Sequence, residues 1–184
     1  MKLITVNPKK SLNKSFLKQR PLRNDIDLFK TNLIRLLSKV DEIEREENQK
    51  NHVRDFLRDT FYKNTHEINT KDTKDLVIHT GKSNKDKVGV IIEAKRPGNK
   101  GEMISMDKPN SKALQELVLY YLRERIEENN IDIKYCVITN VYEWYIIESS
   151  YFEKLFFRNK DFVKSYEEWR DGKKVTKDTN LFYN

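Results

Sequence analysis

The chain has 184 residues, of which 36 are Lys or Arg and 29 are Asp or Glu, so its formal net charge is +7. This length suits one domain, and 37% hydrophobic residues can form a core, which excludes a largely disordered chain. The longest apolar run, residues 117–122, is far too short to cross a bilayer, so we expect a cytoplasmic protein without membrane contact. The single cysteine, Cys136, excludes an internal disulfide and a zinc site built from several cysteines.

A basic arm opens the chain over residues 1–23. It contains Pro8 and Pro21 and shows no sustained hydrophobic period, which is typical of a leader segment or of a nucleic-acid contact. The overall positive charge favours a polyanionic partner, although lysine-rich segments also serve solubility alone. The cations that define the arm are Lys9, Lys10, Lys14, Lys18, Arg20 and Arg23.

Hydrophobic spacing predicts two helices after the arm, one from Asn24 to Val40 and one ending near Tyr62. The period then changes to that of strands. Residues 76–78 and 88–92 flank a polar loop and predict a hairpin, with a further short strand near residues 65–68. Because residues 88–92 are apolar on both faces, we expect a central strand that is covered on both sides.

The second half of the chain predicts a long helix from Ser111 to Asn129, then strands over residues 135–139 and 144–147. A turn at residues 140–143 joins these strands, and a short helix follows over residues 161–169. The polar tail, residues 171–184, is expected to continue into a longer polypeptide. This order predicts an α/β domain over residues 24–170, with a mixed central sheet flanked by helices.

Charged side chains stand at both ends of the predicted hairpin. Asp75 begins the first strand, and Glu93, Ala94 and Lys95 end the second. Alternation along a strand puts Glu93 and Lys95 on one face, and antiparallel pairing brings Asp75 beside Glu93. Two carboxylates, with the Ala94 carbonyl as a third ligand, would suit Mg²⁺, and a lysine beside them could hold a water that attacks phosphorus. An ion pair at a sheet end is the alternative interpretation.

These residues carry a family resemblance. Lys74-Asp75-Leu76-Val77 and Val90-Ile91-Ile92-Glu93-Ala94-Lys95 resemble the two motifs of the PD-(D/E)XK nuclease core, with Lys74 at the position of the proline. Further segments resemble the N-terminal nuclease region of bacterial type IIG restriction-modification enzymes, and the resemblance covers nearly the whole chain. These segments are residues 7–11, 26–30, 56–62, 117–124 and 138–144.

The resemblance implies a restriction-endonuclease-like core and Mg²⁺-dependent hydrolysis of double-stranded DNA, with Mn²⁺ as a substitute ion. It implies that Asp75 and Glu93 bind the metal and that Lys95 positions the water. The partners would be methyltransferase and target-recognition domains of the same polypeptide, and S-adenosylmethionine would belong to that methyltransferase. The alternatives are a nuclease region of a type I restriction or RecB-like repair enzyme, or a catalytically silent DNA-binding or assembly module.

Two further positions follow from the resemblance. Members of the wider superfamily place a glutamate on the first core helix near the metal, and Glu47 is the candidate here, otherwise a solvated acid of a first helical turn. Related nucleases also carry Gln-x-x-x-Tyr on the helix after the core motif. Glu116 and Tyr120 occupy that register in this chain, with Gln115 one residue away, so either Gln115 or Glu116 would face the site.

Three more residues are candidates from position alone. Arg96 and Lys100 follow the motif in a glycine-containing loop, where they would contact DNA phosphates or simply be surface cations. His79 shares the strand face of Asp75 and would assist proton transfer or, as the better-supported alternative, serve as a hydrogen-bonded structural histidine.

Overall fold

The fold is a five-stranded mixed sheet between two layers of helices, as the sequence predicts. The computed structural model describes residues 4–43, 45–71 and 75–173, the side chains of Lys71 and Asp75 excepted. The strands are β1 (Ile68–Lys71), β2 (Asp75–His79), β3 (Val88–Ala94), β4 (Tyr135–Thr139) and β5 (Trp144–Glu148). The helices are α1 (Pro8–Ser11), α2 (Lys14–Leu17), α3 (Arg23–Lys39), α4 (Glu46–Leu57), α5 (Lys112–Ile126), α6 (Ser149–Phe152) and α7 (Lys160–Arg170). Single π-helical turns extend α4 over Arg58–Tyr62 and α6 over Glu153–Phe157.

The strands lie in the order β1-β2-β3-β4-β5, so β3 occupies the middle of the sheet. All neighbouring strands are antiparallel except β3 and β4, which run parallel and are joined through α5. A parallel pair of strands requires a crossover connection, which explains why the long amphipathic helix α5 lies between β3 and β4 in the sequence. The predicted central position of β3 is confirmed.

Each face of the sheet is covered by its own core. Val77 and Ile91 pack with Leu117 and Tyr121 of α5 on one face. The other face carries a second core, to which β2 and β3 contribute Leu76 and Ile92; the helical members of this core come from α3 and α4 and include Leu36, Val53 and Phe56. Because β3 is apolar toward both layers, almost all of its side chains are buried.

A β-bulge lies at the start of β3. Ile78 pairs with Val90 and His79 with Val88, so Gly89 is the extra residue. The bulge turns Val88 to the same core as Ile91, which plain alternation would not allow. A Cβ at Gly89 would lie 3.2 Å from the Thr80 methyl, closer than ordinary van der Waals contact.

The structure differs from the sequence prediction in four places, the first being the short strand expected near residues 65–68, which is β1 over Ile68–Lys71. The basic arm contains two single turns of helix, α1 and α2, each begun by an asparagine whose side chain caps it. Helix α4 begins at Glu46, one full turn or more before its apolar pattern becomes visible. The segment from Ser149 to Phe157 is helical, because Phe152 anchors it in the core beside Tyr121.

The remaining expectations concern the ends of the domain. Helix α7 ends at Arg170, which agrees with the predicted start of the polar tail, although residues 174–184 lie outside the described part of the chain. Within the described ranges, no helix has both the length and the apolar character that crossing a bilayer requires.

Candidate functional site

The charged residues of the predicted motif lie where the two parallel strands end. Lys95 follows β3 directly, and its backbone N–H donates to the Thr139 carbonyl at the end of β4 over 2.8 Å. Ala94 pairs with Thr139 in the same ladder. The carboxyl ends of β3 and β4 thus form one edge, and clefts at such edges are common ligand sites in α/β sheets.

Glu93 and Lys95 are both almost completely buried, with 1% and 2% of their surface exposed. Lys95 Nζ lies 3.0 Å from Glu93 Oε1, an ion-pair distance without hydrogen-bond geometry. Neither oxygen of Glu93 accepts a hydrogen bond from the described residues. Burial raises the pKa of Glu93 to about 7, against the opposing effect of the Lys50 and Lys95 cations.

Four carboxylates surround the Lys95 ammonium. Besides Glu93, these are Glu46 of α4 with Oε1 at 3.4 Å, Glu102 with Oε2 at 3.7 Å, and Glu116 of α5, which accepts a hydrogen bond from Nζ. Burial alone would lower the pKa of Lys95, but Glu93, Glu116 and Glu46 outweigh it and raise that pKa. The side chain is therefore a buried ammonium ion held between both helical layers.

A second buried lysine lies on the α4 side of the site. Lys50 is 6% exposed, and its Nζ is 3.6 Å from Glu46 Oε1 and 4.0 Å from Glu93 Oε1. Sequence reasoning missed both Lys50 and Glu46. Their i,i+4 spacing on a helix was the available signal, because it puts the two side chains on one face.

Two contacts hold the start of α4 against this edge. Gln49, which is fully buried, donates from its side-chain amide to the Asp41 carbonyl over 2.9 Å. Gly98, in the loop after Lys95, passes so close to the α3–α4 connection that a Cβ there would lie 2.9 Å from the Glu42 carbonyl oxygen. This close approach leaves no room for a side chain at position 98 and explains why glycine follows Pro97.

Asp75 is the first residue of β2, and its backbone pairs with Lys71. Strands β2 and β3 are antiparallel, and Leu76 pairs with Ile92. Continued by one residue, this register places the backbone of Asp75 opposite that of Glu93. The Asp75 side chain and the preceding Lys74 lie outside the described part of the structure, so the predicted carboxylate pair stays a prediction.

Of the helical candidates, the structure places Glu116 beside Lys95. Glu116 reaches Lys95, whereas Gln115 donates to Asn110 over 3.2 Å. Tyr120 is buried, with the Arg123 guanidinium 5.9 Å from its ring centre. Glu47 is exposed to solvent, and it is the preceding residue, Glu46, that approaches Lys95.

Arg96 and Lys100 are exposed in the loop after Lys95, where they are accessible to a ligand. His79 is 3% exposed, and both ring nitrogens have partners: Nδ1 lies 2.7 Å from the Asp86 carbonyl and Nε2 lies 3.2 Å from Asn69 Oδ1. This geometry is that of a structural histidine, the better-supported of its two interpretations.

The donor chemistry of the edge fits a hard divalent cation. Glu93 offers two buried oxygens without hydrogen-bond donors, and Glu46 and Glu116 offer carboxylates nearby, the oxygen ligands that Mg²⁺ and Mn²⁺ prefer. Among the residues described with side chains, however, no three acidic, histidine or cysteine side chains already form a metal-binding cluster. The Lys95 ammonium instead pairs with Glu93, Glu46 and Glu116.

Comparison with known proteins adds one result. A model of a family described as a domain of unknown function, DUF7149, matches residues 6–184. The chain belongs to the DUF7149 family. The match includes most of the basic arm, so the arm is part of the family unit and not an appendage to it. No curated protein and no solved structure matches the chain.

Proposed function

We propose that this DUF7149 domain is a metal-dependent endonuclease domain that hydrolyses phosphodiester bonds of double-stranded DNA. The observation that carries the proposal is Glu93, a buried carboxylate at the end of the central strand with no hydrogen-bond donor on either oxygen among the described residues. Within the described residues its charge partners are the Lys95 ammonium at 3.0 Å and the Lys50 ammonium at 4.0 Å, and a bound metal ion would take the place of the hydrogen-bond donors that its oxygens lack. Lys95 on the same strand face, and the register leading from Asp75 to Glu93, support the resemblance to the PD-(D/E)XK core.

The proposed roles follow from the side chains. Asp75 and Glu93, with the Ala94 carbonyl, would bind Mg²⁺, and Glu46 is better placed than Glu47 to contribute a further carboxylate. The ion would supply a Lewis acid for water and for the phosphate oxygens. Lys95 would orient the attacking water and place a positive charge beside the phosphate. Hydrolysis joins the water oxygen to phosphorus and breaks the bond to one deoxyribose oxygen, leaving a phosphate monoester and a hydroxyl.

The wider assignment rests on the resemblance alone. A type IIG-like restriction-modification enzyme would join this domain to methyltransferase and target-recognition domains, whereas a type I or RecB-like enzyme would join it to helicase motifs. The sequence that follows the domain in its full polypeptide distinguishes the two.

Metal binding tests the proposal without requiring DNA recognition. Mn²⁺ is titrated into the protein by calorimetry, and crystals soaked in Mn²⁺ are examined for anomalous scattering between Glu93 and Asp75. We expect one bound ion, and a Glu93→Gln variant that binds Mn²⁺ at least tenfold more weakly. Glu148→Gln, an exposed acid at the end of β5, is the matched control and should bind as the parent does.

Cleavage is the second measurement. Nicking of supercoiled plasmid in Mg²⁺ should fall at least 100-fold in Lys95→Ala and stay unchanged in Lys112→Ala, whose exposed side chain pairs with Glu102 of the same cluster. Equal Mn²⁺ affinity of the parent and Glu93→Gln, or equal nicking by the parent and Lys95→Ala, would contradict the proposal.

One observation favours a second candidate function. The Lys95 ammonium is already neutralised by several carboxylates, as it would be in a scaffold that has lost catalysis. A silent DNA-binding or assembly module would bind DNA without binding Mn²⁺ at Glu93 and without nicking plasmid in either metal.

A further inference from the structure

Residues 4–22 of the basic arm, which precede helix α3, are separate from the body of the domain. Every side chain in it is exposed. Its hydrogen bonds connect arm residues to one another, except that the Leu22 carbonyl receives the Ile26 N–H at the start of α3. Within the described chain, no ion pair joins residues 4–22 to a carboxylate.

The arm is also free of acidic residues. Neither Asp nor Glu occurs before Asp25, although 29 of the 184 residues of the chain are acidic. Its positive charge is therefore not compensated locally, in contrast to that of Lys95, which lies among four carboxylates. The five cations of residues 4–22 are Lys9, Lys10, Lys14, Lys18 and Arg20.

Local capping gives the arm a defined backbone without a long helix. The Asn7 side chain accepts from the Lys9 N–H over 3.0 Å, and the Asn13 side chain accepts from the Ser15 N–H over 2.8 Å. Leu12 is extended and separates α1 from α2. Each helix has only four residues, so the cations are distributed over two short turns and the segments that follow them, and not over one face of a long helix.

We propose that the basic arm binds the phosphate backbone of duplex DNA and supplies sequence-independent affinity to the domain. A row of unpaired cations, free of acidic neighbours, is the chemistry that releases counterions from DNA. Fully extended, residues 4–22 span at most about 65 Å. That upper limit equals roughly 19 base pairs at about 3.4 Å each, so the five cations, at residues 9–20, fall within one DNA site of at most this length.

An anionic membrane is the competing polyanion, because Phe16, Leu17 and Leu22 of the arm are exposed. Binding in a membrane interface normally uses a continuous amphipathic helix with separate apolar and charged faces. The arm has only two isolated turns, and its lysines alternate with its apolar residues. These features favour DNA. The choice of duplex DNA rests on the proposed function, but binding by the arm does not require the metal or cleavage.

The test compares two variants of equal charge in the full chain. In the arm variant, Lys9, Lys10, Lys14, Lys18 and Arg20 are all changed to Gln. In the control variant, five exposed lysines of the body are changed to Gln: Lys63, Lys82, Lys85, Lys154 and Lys160. Binding to a fluorescein-labelled duplex of about 30 base pairs, longer than the arm can span, is measured by anisotropy in EDTA from about 50 to 200 mM salt.

We expect the arm variant to bind DNA at least tenfold more weakly than the control variant at about 0.1 M salt. The slope of log K against log salt concentration should also become shallower, by about 0.9 for each phosphate that the arm no longer neutralises and by up to about 4.5 for five phosphates. Thermal unfolding should be the same for the arm variant and the parent, because the arm does not pack on the body.

Three results would overturn the proposal. Equal loss of DNA affinity in both variants would assign the effect to net charge. Unchanged DNA affinity in the arm variant would show that the arm does not contribute to DNA binding. Loss of binding to phosphatidylserine vesicles, with DNA binding retained, would assign the arm to membranes. Because no divalent ion is present, a failure of Glu93 to bind Mn²⁺ would overturn the nuclease proposal and leave this result standing.

Discussion

Lys95 lies at a sheet edge where burial of its charge is costly to the fold. Two buried lysines and a buried glutamate meet at one sheet edge, where each charge loses hydration and regains only part of it from its partners. Buried ion pairs seldom stabilise a protein relative to apolar side chains of the same size. The cluster has more carboxylates than ammonium groups, so each ammonium ion offsets repulsion between the acids around it.

This imbalance predicts the effect of removing the lysine. Lys95→Met should lower the free energy of unfolding by about 3 kcal/mol, measured by urea denaturation at neutral pH in EDTA, because Glu93 and Glu116 would then face each other without the cation. Lys112→Met, which removes an exposed partner of Glu102, should cost less than about 0.5 kcal/mol. The double variant Glu93→Gln/Lys95→Met should recover part of the stability. If Lys95→Met and Lys112→Met lowered the free energy of unfolding equally, the burial of Lys95 would make no difference to its contribution to stability.

At the scale of elements, the end of α5 is tied to the start of β3 by one asparagine. Asn130 is fully buried, and its side-chain amide donates to the Val88 carbonyl over 2.9 Å and to Glu124 over 3.1 Å. Its Oδ1 accepts from the Asp132 N–H over 2.9 Å. These bonds connect the segment after α5 to the start of β3 and to the chain that leads into β4.

Asn130→Ala should therefore lower the free energy of unfolding by about 2 kcal/mol, because a buried carbonyl, carboxylate and amide would lose their partner together. The exposed Asn110, which accepts a single bond from Gln115, is the matched position, and Asn110→Ala should cost less than about 0.5 kcal/mol. Urea denaturation of both variants measures the difference. A small effect at Asn130 would mean that α5 is positioned by its apolar contacts alone.

The elements also show which parts of the structure could be predicted. Strand β3 and helix α5 were predictable because their hydrophobic periods are strong and local. The bulge at Gly89 was not, because it depends on pairing with β2. The turn after β4 falls at the predicted residues 140–143, but Val141 adopts a φ of 78°, a strained conformation for a β-branched residue. It is held by the Thr139 hydroxyl and by the Trp144 indole, contacts that exist only in the folded chain.

The candidate site was predictable to a similar extent. Glu93 and Lys95 came from strand alternation and from the motif. The sequence predicts Glu47, whereas the structure places Glu46 beside Lys95, because no apolar pattern shows which side of α4 faces the site near its N-terminus. Lys50 and Glu102 approach the site from other segments, α4 and the loop before α5, and a single sequence does not encode such distances directly.

At the scale of the whole molecule, the sheet order implies a gradient of stability. Strand β3 has hydrogen-bonded neighbours on both sides and a core on each face, whereas β1 pairs only with β2 among the described strands. The basic arm lies at the other extreme, since its residues are exposed and bonded only locally. The free energy of opening a backbone amide to hydrogen exchange ranges from near zero in exposed segments to the free energy of global unfolding in a core strand.

Hydrogen exchange followed by mass spectrometry tests this gradient. Peptides that cover β3 should exchange slowest, with an opening free energy close to that of global unfolding, and peptides that cover β1 should exchange earlier.

Peptides from residues 4–22 should exchange almost at once in the free protein. They should exchange more slowly when duplex DNA is added, if the arm becomes ordered on the phosphates. Glu93→Gln should leave the relative exchange rates of β3 and β1 unchanged, because it alters the candidate site and not the hydrogen bonds between the strands. Equal protection of β1 and β3 would contradict the inferred gradient, and a slowly exchanging arm in the free protein would show that the arm packs against the domain.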